Sequence, residues 1–520
     1  MSELTHSPFK ILKVAYFLCS TVLIFWFTWS GHQFLAHNVY NDADSSFFIY
    51  GGITLNNGGK LYQDFWDLKP PAIFYQNAIL LDLLGLDLKK WAYLHMLIFL
   101  SSLAWGALQL KNLLGAYWVT FWAIVISFGY NLNNYLDSGN RTEFGVSIFE
   151  FLSMTFILSY FRKENKVNLF LSGLCCSLAT MYKPIGLASI LTSYFVFLSF
   201  TFFFKNTNDK KIDLIKNLIY LTVGFLIGAF FTLLPVTLEG NLQKVWDATI
   251  TLPFSQTNAT NKSLLEAAID FPIKLGPLLG FLWPILLFPL VLYKTKEHPG
   301  ITKFTYWMLI WNTATFSGIV LMRHGHPHYY QTAIIPGLTL AFLCIYFTQK
   351  KLTKLSKILL ITLFLISGLI FSRYFILKQA KLSTNLSTTT SLSLPYIQLS
   401  QWLNSQLKEN ETFYYWSMGY SLYIHSQKEC PGRLSPSFLI LSEACANLVI
   451  KDLDKIIENK NITYLIENPN TYPKNLTIAS DFPQNSLANL TIQNYLHWRD
   501  NNFQIIKPHL YPPFILYERK

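Results

Sequence analysis

The chain has 520 residues, 52% of them hydrophobic and only 13% charged, against roughly 25% charged in a typical soluble domain. That imbalance, carried in long apolar runs, excludes an ordinary soluble protein. A net charge of +12 invites nucleic acid, but the lysines and arginines gather in short loops between apolar runs, where such charges orient a membrane protein; no nucleic-acid partner is expected.

Apolar runs of about 20 residues, long enough to cross a bilayer as helices, recur from Ile11 to Ile376. Roughly eleven spans are expected, at 11–30, 91–110, 118–135, 144–161, 167–182, 185–204, 217–237, 273–293, 304–322, 331–348 and 358–376. The first lacks a small-residue cleavage site and reads as a retained helix. Loops bearing Lys10 and Lys13, Arg162 and Lys163, Lys210 and Lys211, or Lys350 and Lys351 belong in the cytoplasm by the positive-inside rule. The loop after the first span, Glu143, Lys183, Arg323 and the tail then lie outside; Lys89-Lys90 runs against the rule and is outvoted.

The sequence therefore predicts an all-α polytopic membrane domain over 1–376, whose first outer loop, 31–90, carries two interfacial helices. A small extracytoplasmic α/β domain should occupy 377–520. It opens on a Ser/Thr-rich linker from Leu382 to Ser393, then offers β-like runs at Thr412–Trp416, Ile462–Ile466 and Phe514–Tyr517 and a helical stretch at Leu448–Glu458. Cys430 and Cys445 fall in this tail, where an oxidising compartment would permit a disulfide.

Chemistry concentrates in the first outer loop, which contains Asp42, Asp44, Asp64, Asp67 and Lys69. Asp44 precedes Ser45-Ser46-Phe47-Phe48, where a helix can start, so it reads either as an N-cap or as a general base. Asp42 is a second candidate, or an exposed loop acid. Lys69 stands before Pro70-Pro71, residues suited to the first turn of a helix. It either snorkels toward headgroups or neutralises a phosphodiester and the charge that grows on it as a leaving group.

The outer ends of later spans add three polar groups. Glu143 caps the fourth span or serves as a second acid toward a sugar. Lys183-Pro184 marks a break between spans or offers a cation to a lipid phosphate. Arg323, His324, His326, His328, Tyr329 and Tyr330 form RHGHPHYY. Three histidines in five residues resemble metal ligands, yet the run has no acid or cysteine and Pro327 breaks helical pairing. Phosphate or sugar contact is favoured, and a divalent metal is the lesser reading.

The run from Asp44 through Gly58-Gly59 to Leu61-Tyr62-Gln63-Asp64-Phe65-Trp66-Asp67-Leu68-Lys69-Pro70-Pro71 resembles the first-loop signature of GT-C glycosyltransferases. It is nearest to bacterial relatives of protein O-mannosyltransferases and the lipid A aminoarabinose transferase. Weaker echoes follow at Thr142-Glu143, Lys183-Pro184-Ile185-Gly186 and His328-Tyr329. Two positions depart from the pattern: Ser45 replaces an acid, and Phe47 stands where the aminoarabinose branch tends to have an arginine.

The resemblance implies a multi-pass enzyme of the plasma (inner) membrane that takes a sugar from a polyprenyl phosphate at the outer face. It implies Asp44 as catalytic base and Lys69 as phosphate contact, with Arg323 or Lys183 supplying further positive charge. His328, Tyr329 and Tyr62 are expected against the donor, and Glu143 or Asp42 against donor or acceptor sugar. Transfer would go to a glycan, lipid or protein hydroxyl by inverting displacement. No cofactor is required, because phosphate is already a good leaving group. A lipid-linked-sugar flippase and a non-catalytic donor-binding homologue are the alternatives.

Overall fold

The computed structural model describes residues 8–38, 43–136, 140–204, 209–254, 263–289, 291, 299–323, 326–350, 352–384, 386–417, 419–435, 443–468, 487–506 and 513–520. Helices dominate: α1 (Pro8–Asn38), α2 (Ala43–Asn56), α3 (Ala72–Leu84), α4 (Leu88–Leu114), α5 (Ala116–Tyr130), α6 (Asn133–Leu136), α7 (Thr142–Lys163), α8 (Lys166–Tyr182), α9 (Leu187–Phe204) and α10 (Asp209–Leu238). After α11 (Leu242–Trp246) come α12 (Leu264–Lys274), α13 (Gly276–Leu282), α14 (Pro299–Met322), α15 (Gln331–Gln349), α16 (Lys354–Thr384) and α17 (Leu386–Gln406). The tail adds β1 (Thr412–Trp416), α18 (Ser421–Ser426), α19 (Glu443–Glu458), β2 (Ile462–Glu467), α20 (Leu487–Asn502), β3 (Phe503–Ile505) and β4 (Ile515–Arg519).

Two compact units emerge: one takes in residues 1–36, 88–232 and 262–384, the other 37–87, 233–261 and 385–520. The second unit is thus broader than the tail, since the first loop and a short segment after α10 fold with it.

In the first unit, each expected span has a helical counterpart, but the count is revised. Among the described residues six helices are long and apolar enough to cross a membrane, Ile11–His32, Leu88–Leu114, Thr142–Lys163, Leu214–Leu238, Pro327–Gln349 and Lys354–Tyr374. A seventh crossing is possible only as a broken one, Leu264–Lys274 with Gly276–Leu287, bent by 76°. Gly276-Pro277 opens the second arm, and proline cannot continue the hydrogen-bond ladder of the helix before it. The expected span 273–293 is replaced by this pair. α5 has 15 residues and α8 has 17, both under the ~20 a bilayer asks of an upright helix. α15 is the centre of the core: 94% of its apolar window is buried, with Trp122, Tyr130, Trp307 and Trp311 fully enclosed in the same cluster.

In the second unit, the strand expectations hold at β1, β2 and β4, and β3 completes a sheet of order β1-β2-β4-β3. β1 and β2 run parallel and the other pairs antiparallel. A parallel pair needs a crossover, and α19 lies within it. Ala446, Val449, Leu453 and Ile456 are buried at the i, i+3, i+7 spacing of one helix face. The Ser/Thr-rich stretch read as a linker is helical instead, in the end of α16 and in α17. Cys430 and Cys445 are free thiols.

The two helices expected in the first loop are α2 and α3, packed on each other. Gly52 makes the crossing possible, since a Cβ there would come within 2.8 Å of the Ala78 nitrogen. α2 is also bound to the tail. Tyr50 stacks on Tyr420 at 4.5 Å with parallel rings, Phe47 and Phe65 meet the same ring, and the Tyr420 N–H donates to Ser46 Oγ at 3.1 Å. Burying several aromatic rings in one contact contributes several kcal/mol at roughly 1.5–3 kcal/mol per large side chain.

Candidate functional site

The loop between α2 and α3 is a short chain of locked turns. α2 ends where the Asn57, Gly58 and Gly59 N–H groups donate back to Ile53, Leu55 and Thr54 carbonyls; Gly58 takes φ +82°, open to glycine without a Cβ penalty. Tyr62 follows with φ +64°, a region a bulky residue occupies only at a cost of order 1–3 kcal/mol. The surroundings hold it there. Its N–H donates to the Phe65 carbonyl at 2.6 Å, its hydroxyl donates to the Lys69 carbonyl at 2.7 Å, and Asn241 donates to the neighbouring Leu61 carbonyl at 3.1 Å. The Trp66 N–H donates to the Arg433 carbonyl of the tail domain at 3.1 Å. α3 then starts at Ala72, with Pro71 as N-cap; the prolines sit just before the first turn instead of inside it.

These turns bury Asp67 within electrostatic reach of Asp44 and Lys69. Asp44 lies in the first turn of α2, half-buried, and Lys69 is half-buried beside Pro70. Between their fields sits Asp67, 6% exposed. Burial pushes the Asp67 carboxyl up to about 6; the Lys69 ammonium opposes that rise and the Asp44 carboxylate adds to it, while the Leu68 and Lys69 N–H groups donate to it and pull it back. The sequence placed Asp67 among the loop acids without assigning it a role. Its burial depends on the fold of the Tyr62–Lys69 turn, which no local pattern announces. Tyr62, expected against the donor, is 1% exposed with its hydroxyl already committed, and supports the Lys69 loop from behind. Asp42 lies outside the described residues.

The first unit assembles a second cluster from the three weaker echoes. Glu143 opens α7 and Lys183 ends α8; both are buried, at 2% and 6% exposure, and their side chains form an ion pair. Thr142 Oγ1 donates to the other Glu143 oxygen at 3.0 Å. The Lys183 ammonium also sits 3.5 Å from the Tyr329 ring centre, a cation–π contact strengthened by burial. His328, on the 3₁₀ turn Pro327–Tyr330, and Arg141 add to the positive field on Glu143. The His328 ring packs edge-on to Tyr329 at 4.6 Å.

Glu143, Lys183 and the adjacent pair His328 and Tyr329, from three stretches far apart in sequence, thus meet in one place. Lys183, expected at a phosphate, and Glu143, expected at a sugar, form an ion pair with each other. Arg323 follows α14 with φ +54°, half-buried, its Nε making no hydrogen bond. His324 lies outside the described residues. His326 and His328 stack at 5.6 Å, and among the described residues no group of three His, Cys, Asp or Glu side chains is placed to hold a metal ion.

No protein-family model and no curated protein matches the chain. Its backbone does match solved structures. The crystal structure of ArnT from Cupriavidus metallidurans bound to undecaprenyl phosphate aligns with TM-score 0.61 over 97% of each chain at 13% identity. The apo crystal structure of the same protein gives 0.58 over 98% of each chain at 12% identity. The chain therefore shares the fold of these two structures over nearly its whole length.

Proposed function

We propose that the protein is an integral-membrane glycosyltransferase that moves a sugar from a polyprenyl phosphate to an acceptor hydroxyl, at the outer face of a plasma membrane. One observation carries the reading: Asp44 opens α2 and Lys69 stands just before α3, the two helices pack on each other, and both charges are felt at the buried Asp67 carboxyl of the loop that joins them. The fold shared with a protein crystallised on undecaprenyl phosphate supports the choice of donor.

Asp44 takes the proton of the acceptor hydroxyl. The hydroxyl oxygen bonds to the anomeric carbon from the face opposite the phosphate, and the carbon–oxygen bond to the phosphate breaks with its electron pair. Configuration inverts, and the new charge on the polyprenyl phosphate is held by Lys69. Asp67 keeps Lys69 oriented and sets the field at Asp44. Arg323 remains the first unit's candidate for lipid phosphate, whereas Lys183 holds Glu143 and acts as a positioning residue. Phosphate departs readily, so charge stabilisation suffices and neither a general acid nor a metal is required.

The test is Asp44→Asn, assayed with a panel of polyprenyl-phosphate sugars. Transfer should drop by about 10²–10⁴-fold, the usual yield of general-base catalysis, while binding of the donor persists. Transfer near the wild-type rate would remove Asp44 from the mechanism.

A further inference from the structure

The second unit contains a cleft of about 700 Å³ at the C-terminal end of α2, and none of the chemistry above uses it. Its floor is closed by Tyr50 and Tyr423, both buried and stacked on Tyr420 and Phe413. Tyr50 accepts from the Cys430 N–H at 2.7 Å and Tyr423 accepts from the Tyr415 N–H at 2.9 Å, so both hydroxyls are committed. The rim is polar and of mixed sign, with the Asn57 amide, the Asp64 and Glu429 carboxylates and the Lys428 ammonium. Asp64 is itself held by the Lys60 N–H at 2.8 Å. Gly58 faces open space, with nothing within 4 Å of the place a Cβ would take.

That lining selects a ligand class. An anionic ligand would meet two carboxylates against one ammonium. An apolar one would bury amide and charged groups without partners, at a cost. A neutral polyhydroxyl chain fits, since each hydroxyl both donates and accepts and so can answer the amide, the two carboxylates and the ammonium of the rim in turn. The rim and floor are already in place, so little ordering is lost on binding.

We infer that this cleft binds a glycan, and that it anchors the far end of an extended acceptor; the second half of the inference rests on the transferase reading. Asn57 stands thirteen residues beyond Asp44 on and just past α2, which at 1.5 Å per residue is about 20 Å along the axis. A sugar seated at the Asn57 and Gly58 end of the cleft is thus not the one that loses its proton to Asp44. The cleft favours acceptors long enough to span both places.

The experiment uses the detergent-solubilised full chain on an array of neutral, amino and acidic oligosaccharides of defined length. Neutral oligosaccharides longer than disaccharides should be retained. Asn57→Trp, at an exposed position that fills the cleft, should weaken the best of them by about tenfold or more, and Lys428→Ala should weaken it less. Asp44→Asn should bind like wild type, because binding is read without transfer. Retention of acidic glycans only, no retention at all, or an unchanged Asn57→Trp would each overturn the site. Loss of transfer from every lipid donor alongside intact array binding would sink the transferase reading alone.

Discussion

Two charge clusters among the described residues are built on opposite principles. In the first unit, Glu143 and Lys183 form a closed pair, with a hydroxyl on the free carboxylate oxygen and an aromatic ring against the ammonium. In the second unit, two carboxylates share one ammonium, and the buried member is held well above its ordinary range. A closed pair fixes geometry and has little left to offer a reaction. The proposed roles rest on this contrast: transfer for Asp44 and Lys69, positioning for Glu143 and Lys183.

The sharpest way to break that contrast is to open the closed pair. Lys183→Met leaves Glu143 charged and buried, and removing one partner of such a pair costs about 3–5 kcal/mol. Thermal unfolding of the solubilised protein should show that loss, and the double variant Glu143→Gln with Lys183→Met should recover most of it. If the single variant unfolds like wild type while donor binding collapses, Lys183 is a ligand-binding residue after all.

The triad should respond in the other direction. Asp67 has its carboxyl raised by burial, so its protonated form is favoured in the fold. Stability from that preference is complete below the ordinary carboxylate range and is lost as pH climbs from about 4 to about 6. Two pH units at 1.36 kcal/mol each give roughly 3 kcal/mol. Asp67→Asn has no such slope, so its melting temperature should gain on that of wild type as pH rises from about 4 to about 6 and hold that gain above 6. Parallel pH–stability curves for the two proteins would mean that Asp67 is not buried as described.

Much of this was legible before the structure. Asp44 and Lys69 stand in a dense local pattern, and β1, β2 and β4 are runs of aromatic and β-branched residues that fit a half-buried pleat. What escaped depends on contacts between distant residues. Glu143 and Lys183, 40 positions apart, each read as a ligand because nothing local shows that one neutralises the other. Asp67 looked like one loop acid of four, since its enclosure needs the positive-φ turn at Tyr62 and the tie from Trp66 to Arg433. The count of eleven spans is not reproduced among the described residues, for a related reason. Composition marks apolar runs such as 273–293 but not the bend at Gly276-Pro277. The Ser/Thr-rich stretch shows the converse, where polar composition masked the helical continuity of α16 and α17.

The smallest expected effect bears on how the open cluster is held in shape. Tyr62 occupies a strained backbone region and donates its hydroxyl to the Lys69 carbonyl, so it props up the turn carrying the ammonium without touching a substrate. Tyr62→Phe removes only that bond. The net value of one such hydrogen bond is about 1 kcal/mol, and the freed Lys69 can then sample positions away from Asp67. Donor KM should rise by a few fold, about what 1 kcal/mol provides, with kcat reduced less, because the charge of Lys69 remains and only its placement loosens. A purely structural tyrosine would instead lower the melting temperature and leave KM unchanged. A direct sugar contact would depress kcat along with KM, so steady-state kinetics paired with a melting curve separates the three roles.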